Sequence, residues 1–215
     1  MDNALILERV LNLILLLLSL TFHEFFHAWS AWRLGDDTAA RMGRLTLNPI
    51  AHIDPVGTLL LPLLGAPIGW AKPVPVNPSR FRRGVSMSTG DILVSAAGPA
   101  SNLLLALIAA VALGLLARFA PSAVEPGSAP LSLLHGLIYL NAGLALFNIL
   151  PIPPLDGSHV VGNLVPYRFR GAWEQFQSLA PFLLIGLVVF GRGLIGPPIA
   201  FVGDLFWRVA TTIAA

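Results

Sequence analysis

Cysteine is absent from the sequence, which excludes disulfides, thiolate metal ligands and a cysteine nucleophile. Charge is scarce as well. Only 11% of the 215 residues are Asp, Glu, Lys or Arg, against about 25% in a soluble globular domain. The net charge of +2 is small, and the pI near 9.7 reflects few acidic groups, so nothing here calls for a nucleic-acid partner. There is no internal repeat and no shift of composition that would mark a second domain.

Apolar residues fill the space that charge leaves. They make up 55% of the chain, the mean hydropathy is +0.76, and they gather in long runs at Val10–Phe22, Ile92–Leu116, Leu131–Leu150, Phe182–Phe190 and Leu194–Phe206. A membrane-crossing helix needs roughly 20 mostly apolar residues. The pattern therefore predicts an all-α polytopic membrane protein of about five transmembrane helices. The first run starts acidic, with Asp2 and Glu8, and continues into a segment bearing charges. That is unlike a cleavable signal peptide, and it reads as a retained span over Ala4–Leu34.

Between the first and second spans lies a polar, Pro- and Gly-rich stretch, Gly35–Gly90. Within it, Thr58–Trp70 is apolar but broken by Pro62, Gly65, Pro67 and Gly69, which suits a re-entrant or interfacial segment. The prolines of Ala71–Pro78 forbid helix there and predict an extended chain. Span two covers Asp91–Arg118. Span three covers Leu131–Leu150, breaks at Pro151, Pro153 and Pro154, and can resume through Gly157–Leu164. The remainder, Gln177–Ile213, is long enough for two spans meeting near Arg192–Gly193 or for one long bent span.

Loop charges orient the chain. Arg41, Arg44, Lys72, Arg80, Arg82 and Arg83 follow span one, Arg168 and Arg170 follow span three, and the loop after span two has only Arg118 at its border. The positive-inside rule then puts Gly35–Gly90 in the cytoplasm and the N-terminus and the Ala120–Pro130 loop outside.

Inside span one sits His23-Glu24-Phe25-Phe26-His27, an H-E-x-x-H sequence. Residues four apart share a helix face, so both imidazoles can reach one zinc ion, and Glu24 beside the first can act as a general base on water. At 1.5 Å per residue from Arg33, His27 is roughly 9 Å deep and His23 about 15 Å deep. Ionisable groups at such depth are costly and mark function. A catalytic zinc takes a third protein ligand. Asp156, after the break in span three, lies on the same side of the membrane by the charge map, as does His159 three residues on.

His23-Glu24-x-x-His27 together with Asn148-x-x-Pro151-x-Pro153-x-Leu155-Asp156-Gly157 resembles the site-two protease family of intramembrane zinc metalloproteases. Gly98-Pro99-Ala100-Ser101-Asn102 matches that family's G-x-x-x-N element, and Asn48-Pro49-x-x-His52-x-Asp54-Pro55-x-Gly57 and Gly69-Trp70-Ala71-Lys72-Pro73 are also similar to it. The likeness covers about residues 20–160, and its form is the compact one without PDZ or CBS domains.

The resemblance implies one Zn2+ per chain on His23, His27 and Asp156, in preference to His159, with Glu24 as catalytic base. It implies Asn102 and Asn148 as residues that orient substrate or polarise its carbonyl. The implied substrates are transmembrane proteins cut in or near their spans, the implied setting is a bacterial inner membrane with the site toward the cytoplasm, and a homo-oligomer is compatible with it. The whole of 1–215 is then one membrane-embedded metalloprotease domain with its core at about residues 4–165.

Other candidates have simpler readings. His52 and Asp54 fit a hydrogen-bonded turn around the Asn-Pro and Asp-Pro steps. His135 falls near the external end of span three, and Gly98 and Gly143 are positions where helices could pack closely. A metal or proton transporter would need a polar path through the bilayer and usually repeats, and a non-catalytic scaffold would have no need of Glu24.

Overall fold

A computed structural model describes residues 3–65 and 69–215, so part of the interrupted stretch Thr58–Trp70 lies outside the described residues. The chain is helical, and no strand occurs among the described residues. Helix α1 is Asn3–Arg33. A single turn, α2 (Thr38–Arg41), and a wound segment ending in α3 (Leu61–Leu63) lie in the long loop. Then come α4 (Met87–Phe119), α5 (Ala129–Asn148), α6 (Asp156–Leu164), α7 (Arg170–Phe190) and α8 (Arg192–Ala214).

Among the described residues, four helical segments are long and apolar enough to cross a membrane: Glu8–Arg33, Met87–Phe119, Ala129–Asn148 and Tyr167–Phe190. The sequence pattern predicts about five; the remaining long helix, α8, is not among these four. It separates from α7 at Gly191, close to the expected meeting point. The chain is thus an all-α polytopic membrane protein.

Side chains that cap free N–H groups set several of these starts. Ser86 accepts from Thr89 N–H before α4, and Ser128 from Leu131 N–H before α5. In the loop, Asn48 caps the turn at Pro49–His52, and Asp54 accepts from the N–H groups of Val56 and Gly57 at the start of a π-helical turn, Pro55–Leu60.

Helix α4 is the hub, packing against α1, α5, α6 and α8. Small residues let the helices approach closely: Ala109, Ala110 and Leu113 of α4 form a buried core with Ile138 of α5 and Ala210 of α8. Helix α8 runs parallel to α4, since Ala210 and Ile213 sit at Gly114 and Arg118 donates to the Ile213 carbonyl at 3.1 Å. It runs antiparallel to α5, with Ile199 at Gly143 and Gly203 at Tyr139. The gap at Gly143 is an ordinary 3.7 Å contact, so this glycine is not demanded by close packing. Helix α7 starts against α6, where Trp173 meets Gly162, and leaves Phe182, Ile185 and Phe190 exposed.

The residues after Gly69 run extended, as the prolines require. Lys72 donates to the His52 carbonyl at 2.9 Å, Trp70 donates to the Gly57 carbonyl at 3.2 Å, and Asn77 donates to the buried Asp36 carboxylate at 2.6 Å. Arg44, itself buried, donates to the carbonyls of Lys72 and Pro73. The extended segment is thereby tied to the earlier part of the same loop.

Candidate metal centre

The two imidazoles of α1 face the N-terminus of α6. His23 Nε2 lies 3.1 Å from Asp156 Oδ2, and His27 Nε2 lies 3.3 Å from Asp156 Oδ1. Ligand atoms of the three residues all fall within 4.8 Å of one another. The break after α5 makes this possible: the chain turns through Pro151–Leu155, and α6 begins at Asp156 itself. The two elements, far apart in sequence, thus bring His23, His27 and Asp156 together.

The donor chemistry fits a cation. His27 Nδ1 is 2.7 Å from the Val94 carbonyl, which can only accept, so Nδ1 carries the proton and Nε2 a lone pair. His23 Nδ1 is 2.7 Å from Asn102 Oδ1, which asks the same of His23. The two Nε2 atoms then face each other at 3.0 Å as acceptors, against a carboxylate whose buried Oδ2 accepts no hydrogen bond. Two imidazole nitrogens and a carboxylate turned on one point are a donor set that suits zinc.

Gly98 makes room for the imidazoles. A Cβ there would lie 2.3 Å from His27 Nε2 and 2.6 Å from His23 Cε1, so any side chain on this turn of α4 would occupy the place of the imidazoles. Close packing of α4 on α1 requires glycine here.

Glu24 is buried beside the cluster, and its Oε2 accepts from the Val74 N–H at 2.8 Å. A cavity of about 1260 Å³ opens onto His23, Glu24, His27 and Asp156. The extended segment forms one wall, α7 contributes Ile185 and Val189 on another, and Asn148 lines it near the end of α5. The amide of Asn148 donates to the Leu144 carbonyl at 3.0 Å, which leaves its oxygen and second hydrogen for the cavity.

Asn102 sits elsewhere. It is 0% exposed, lies behind His23, and is not among the residues lining the cavity. Its amide is shared between His23, Asn141 and the Ser19 carbonyl. Asn141, seven residues before Asn148 in span three, is a further polar group of the site. Its signal in the sequence was an amide inside an apolar helix, where polar side chains usually serve as interhelical contacts.

His159 pairs with Asp91 of α4 at 3.6 Å, and Asn163 donates to the same carboxylate. The Asp91 hydrogen bond raises the pKa of His159 above its usual value, against a smaller lowering by burial. His159 therefore lines the cavity as one half of an ion pair. His52 is buried with Nε2 near the Thr46 carbonyl, and Asp54 caps a turn, which matches the turn reading for both. His135 packs on Tyr139 and Trp207 at the far end of α5.

Comparison with known proteins agrees in kind. The model of peptidase family M50 matches residues 117–190, which carry Asn148 and Asp156. A Bacillus subtilis (strain 168) protein named "Putative zinc metalloprotease YwhC" is 43% identical over 178 residues, covering 82% of this chain and 78% of the relative. "Putative zinc metalloprotease Rip2" of Mycolicibacterium smegmatis is 35% identical over 182 residues, covering 84% of this chain and 65% of the relative. The protein of that name from Mycobacterium tuberculosis (strain Erdman) is 36% identical over 193 residues, covering 89% and 70%. No solved structure matches the chain.

Proposed function

The chain belongs to peptidase family M50, and from that premise we propose that it is a zinc-dependent endopeptidase that cuts membrane proteins within or near their transmembrane segments. The observation that carries this reading is the convergence of two Nε2 lone pairs and the Asp156 carboxylate beside a buried glutamate, at the wall of a cavity lined largely by apolar side chains. His23, His27 and Asp156 hold the ion. Bound there, zinc lowers the pKa of water and polarises a carbonyl.

Glu24 takes the proton of the attacking water and delivers it to the leaving amine. Its carboxylate is aimed by the Val74 N–H, so that one oxygen is held and the other is free for the proton. Asn148, which lines the cavity, donates to the scissile carbonyl in this scheme. Asn102, buried behind His23, acts on the imidazole rather than on the substrate.

A peptide bond within a helix has its carbonyl hydrogen-bonded and sheathed by side chains. Substrate therefore unwinds locally before cleavage and lies along the extended residues 71–76, which pass beside Glu24. Prolines at 73 and 75 have no N–H to give, and the Val74 N–H is already used by Glu24. The segment is thus an acceptor edge, pairing with substrate N–H groups through carbonyls that Arg44 does not already engage.

With the basic loop residues on the cytoplasmic side, the site faces the cytoplasm of a bacterial inner membrane. Away from the cluster the helices close on Ala109, Ala110, Leu113 and Ile138, the opposite of the polar lining an ion path needs.

The test is purification in detergent, zinc quantification, and incubation with single-span substrates for the wild type and for Glu24→Gln. One zinc per chain in both proteins, with cleavage only by the wild type, is expected. Cleavage by Glu24→Gln near the wild-type rate would remove Glu24 from the chemistry.

A further inference from the structure

Helices α1, α4 and α5 are joined by a buried chain of side-chain hydrogen bonds that ends on His23. Its direction can be worked out from the far end. The side-chain nitrogen of Asn141 lies 2.9 Å from the Leu137 carbonyl and 2.9 Å from Ser19 Oγ. A backbone carbonyl only accepts, so nitrogen and oxygen of Asn141 cannot be exchanged. Ser19 gives its own proton to the Leu15 carbonyl at 2.8 Å and is left to accept from Asn141.

The oxygen of Asn141 must then face Asn102, whose Nδ2 donates to it at 2.8 Å. The same Nδ2 lies 3.4 Å from the Ser19 carbonyl, a second obligate acceptor. Asn102 is thereby locked with Oδ1 toward His23 Nδ1, 2.7 Å away. An amide oxygen accepts, so the proton of His23 belongs on Nδ1 and the lone pair on Nε2, which faces Asp156 and His27. Were Asn102 reversed, its NH2 would favour the other tautomer and put a proton where the ion binds.

We propose that Asn141, on a helix that supplies no metal ligand, is a positioning residue that sets the tautomer of His23 through Asn102 and thereby the zinc affinity of the site. His27 needs no such relay, because the Val94 carbonyl fixes it directly. Asn102 and Asn141 are each 0% exposed, so water does not compete for these bonds, and an amide left unpaired there would be costly. The proposal rests on the zinc-peptidase reading of the site, but it concerns a proton position in the metal-free protein.

The experiment labels histidine with 15N and reads the ring-nitrogen shifts of His23 in zinc-free protein in detergent, assigned by its loss in His23→Gln. Zinc affinity is measured by competition with a chelator. Wild type should show His23 protonated on Nδ1. In Asn141→Leu, with helicity retained, the shifts should move toward a mixture of tautomers, and zinc affinity should fall about tenfold or more, the range typical of groups that orient a ligand.

A folded Asn141→Leu protein with unchanged shifts and zinc affinity would overturn the proposal. So would wild-type His23 carrying its proton on Nε2, a result that does not depend on Asn141→Leu folding. Both readouts are independent of proteolysis. Wild-type protein that binds zinc in the expected tautomer yet cleaves nothing would instead count against the peptidase reading.

Discussion

The backbone N–H of Val74 donates to Oε2 of Glu24 at 2.8 Å, across fifty residues of sequence. The donor is held from both sides. Pro73 and Pro75 restrict the backbone around it to extended geometry, and Arg44 ties down the carbonyls of Lys72 and Pro73. The loop thus reaches into the site through its main chain.

Removing that donor should disorient the base without touching the ligands. Val74→Pro keeps the chain extended and deletes the N–H. It should bind zinc normally and lose about tenfold or more in kcat, as misplaced catalytic groups do. Val74→Ala keeps the N–H and should stay near wild type. Equal rates for the two variants in a steady-state assay would show that the contact is incidental.

Glu24→Gln should be the cleanest loss of function. It preserves size and the three proposed ligands while removing the proposed proton acceptor, and general-base catalysis is worth about 10²–10⁴-fold. Zinc content by mass spectrometry should match the wild type while product formation disappears.

Gly98→Ala should empty the metal site. The added methyl would stand 2.3 Å from His27 Nε2, too close for any arrangement that keeps both imidazoles in place. Gly143→Ala, where the nearest atom is 3.7 Å away, is the matched control and should retain zinc. Chelator competition on the two purified proteins decides the matter, and a zinc-replete Gly98→Ala would be incompatible with the approach of α4 to α1 described above.

Asp156 and His159 should separate by property. Asp156→Ala should lose zinc, since two histidines are an incomplete set. His159→Ala should keep it and lose stability in a pH-dependent way. The folded-state pKa of His159 is raised by Asp91, so its contribution is complete below the unfolded value near 6.5 and fades as pH rises through the folded value. Melting temperatures of wild type and His159→Ala should differ most at low pH and converge as pH increases. A gap that widens with pH would reverse the assignment of the ion pair.

Substrate choice should follow the ease of unwinding. Glycine, asparagine or proline near the cytoplasmic end of a substrate span should speed cleavage and runs of leucine should slow it, because helix interiors tolerate the first group poorly. Matched single-span substrates at equal membrane insertion provide the comparison, and equal rates would remove the unwinding step from the scheme.

Much of this molecule is written locally. Apolar runs of spanning length define the helices, the i, i+4 spacing puts His23 and His27 on one face, and the prolines from Pro151 to Pro154 end a span just before Asp156. Those features depend on neighbours in the chain and survive without knowledge of the fold. The rotation of each helix about its own axis does not. A span that is apolar all round carries no stripe to say which side meets a partner, so the sequence could name Asn102 but not turn it away from the cavity and onto His23. Nor could it show that α8 runs beside α4 with Ile213 at Arg118, or that a Cβ at Gly98 would strike an imidazole. The Asn141 relay and the Val74 amide on Glu24 have the same origin. They are contacts between distant segments, decided by how alanine- and glycine-lined helices close on one another and by which buried donors must find acceptors once water is gone.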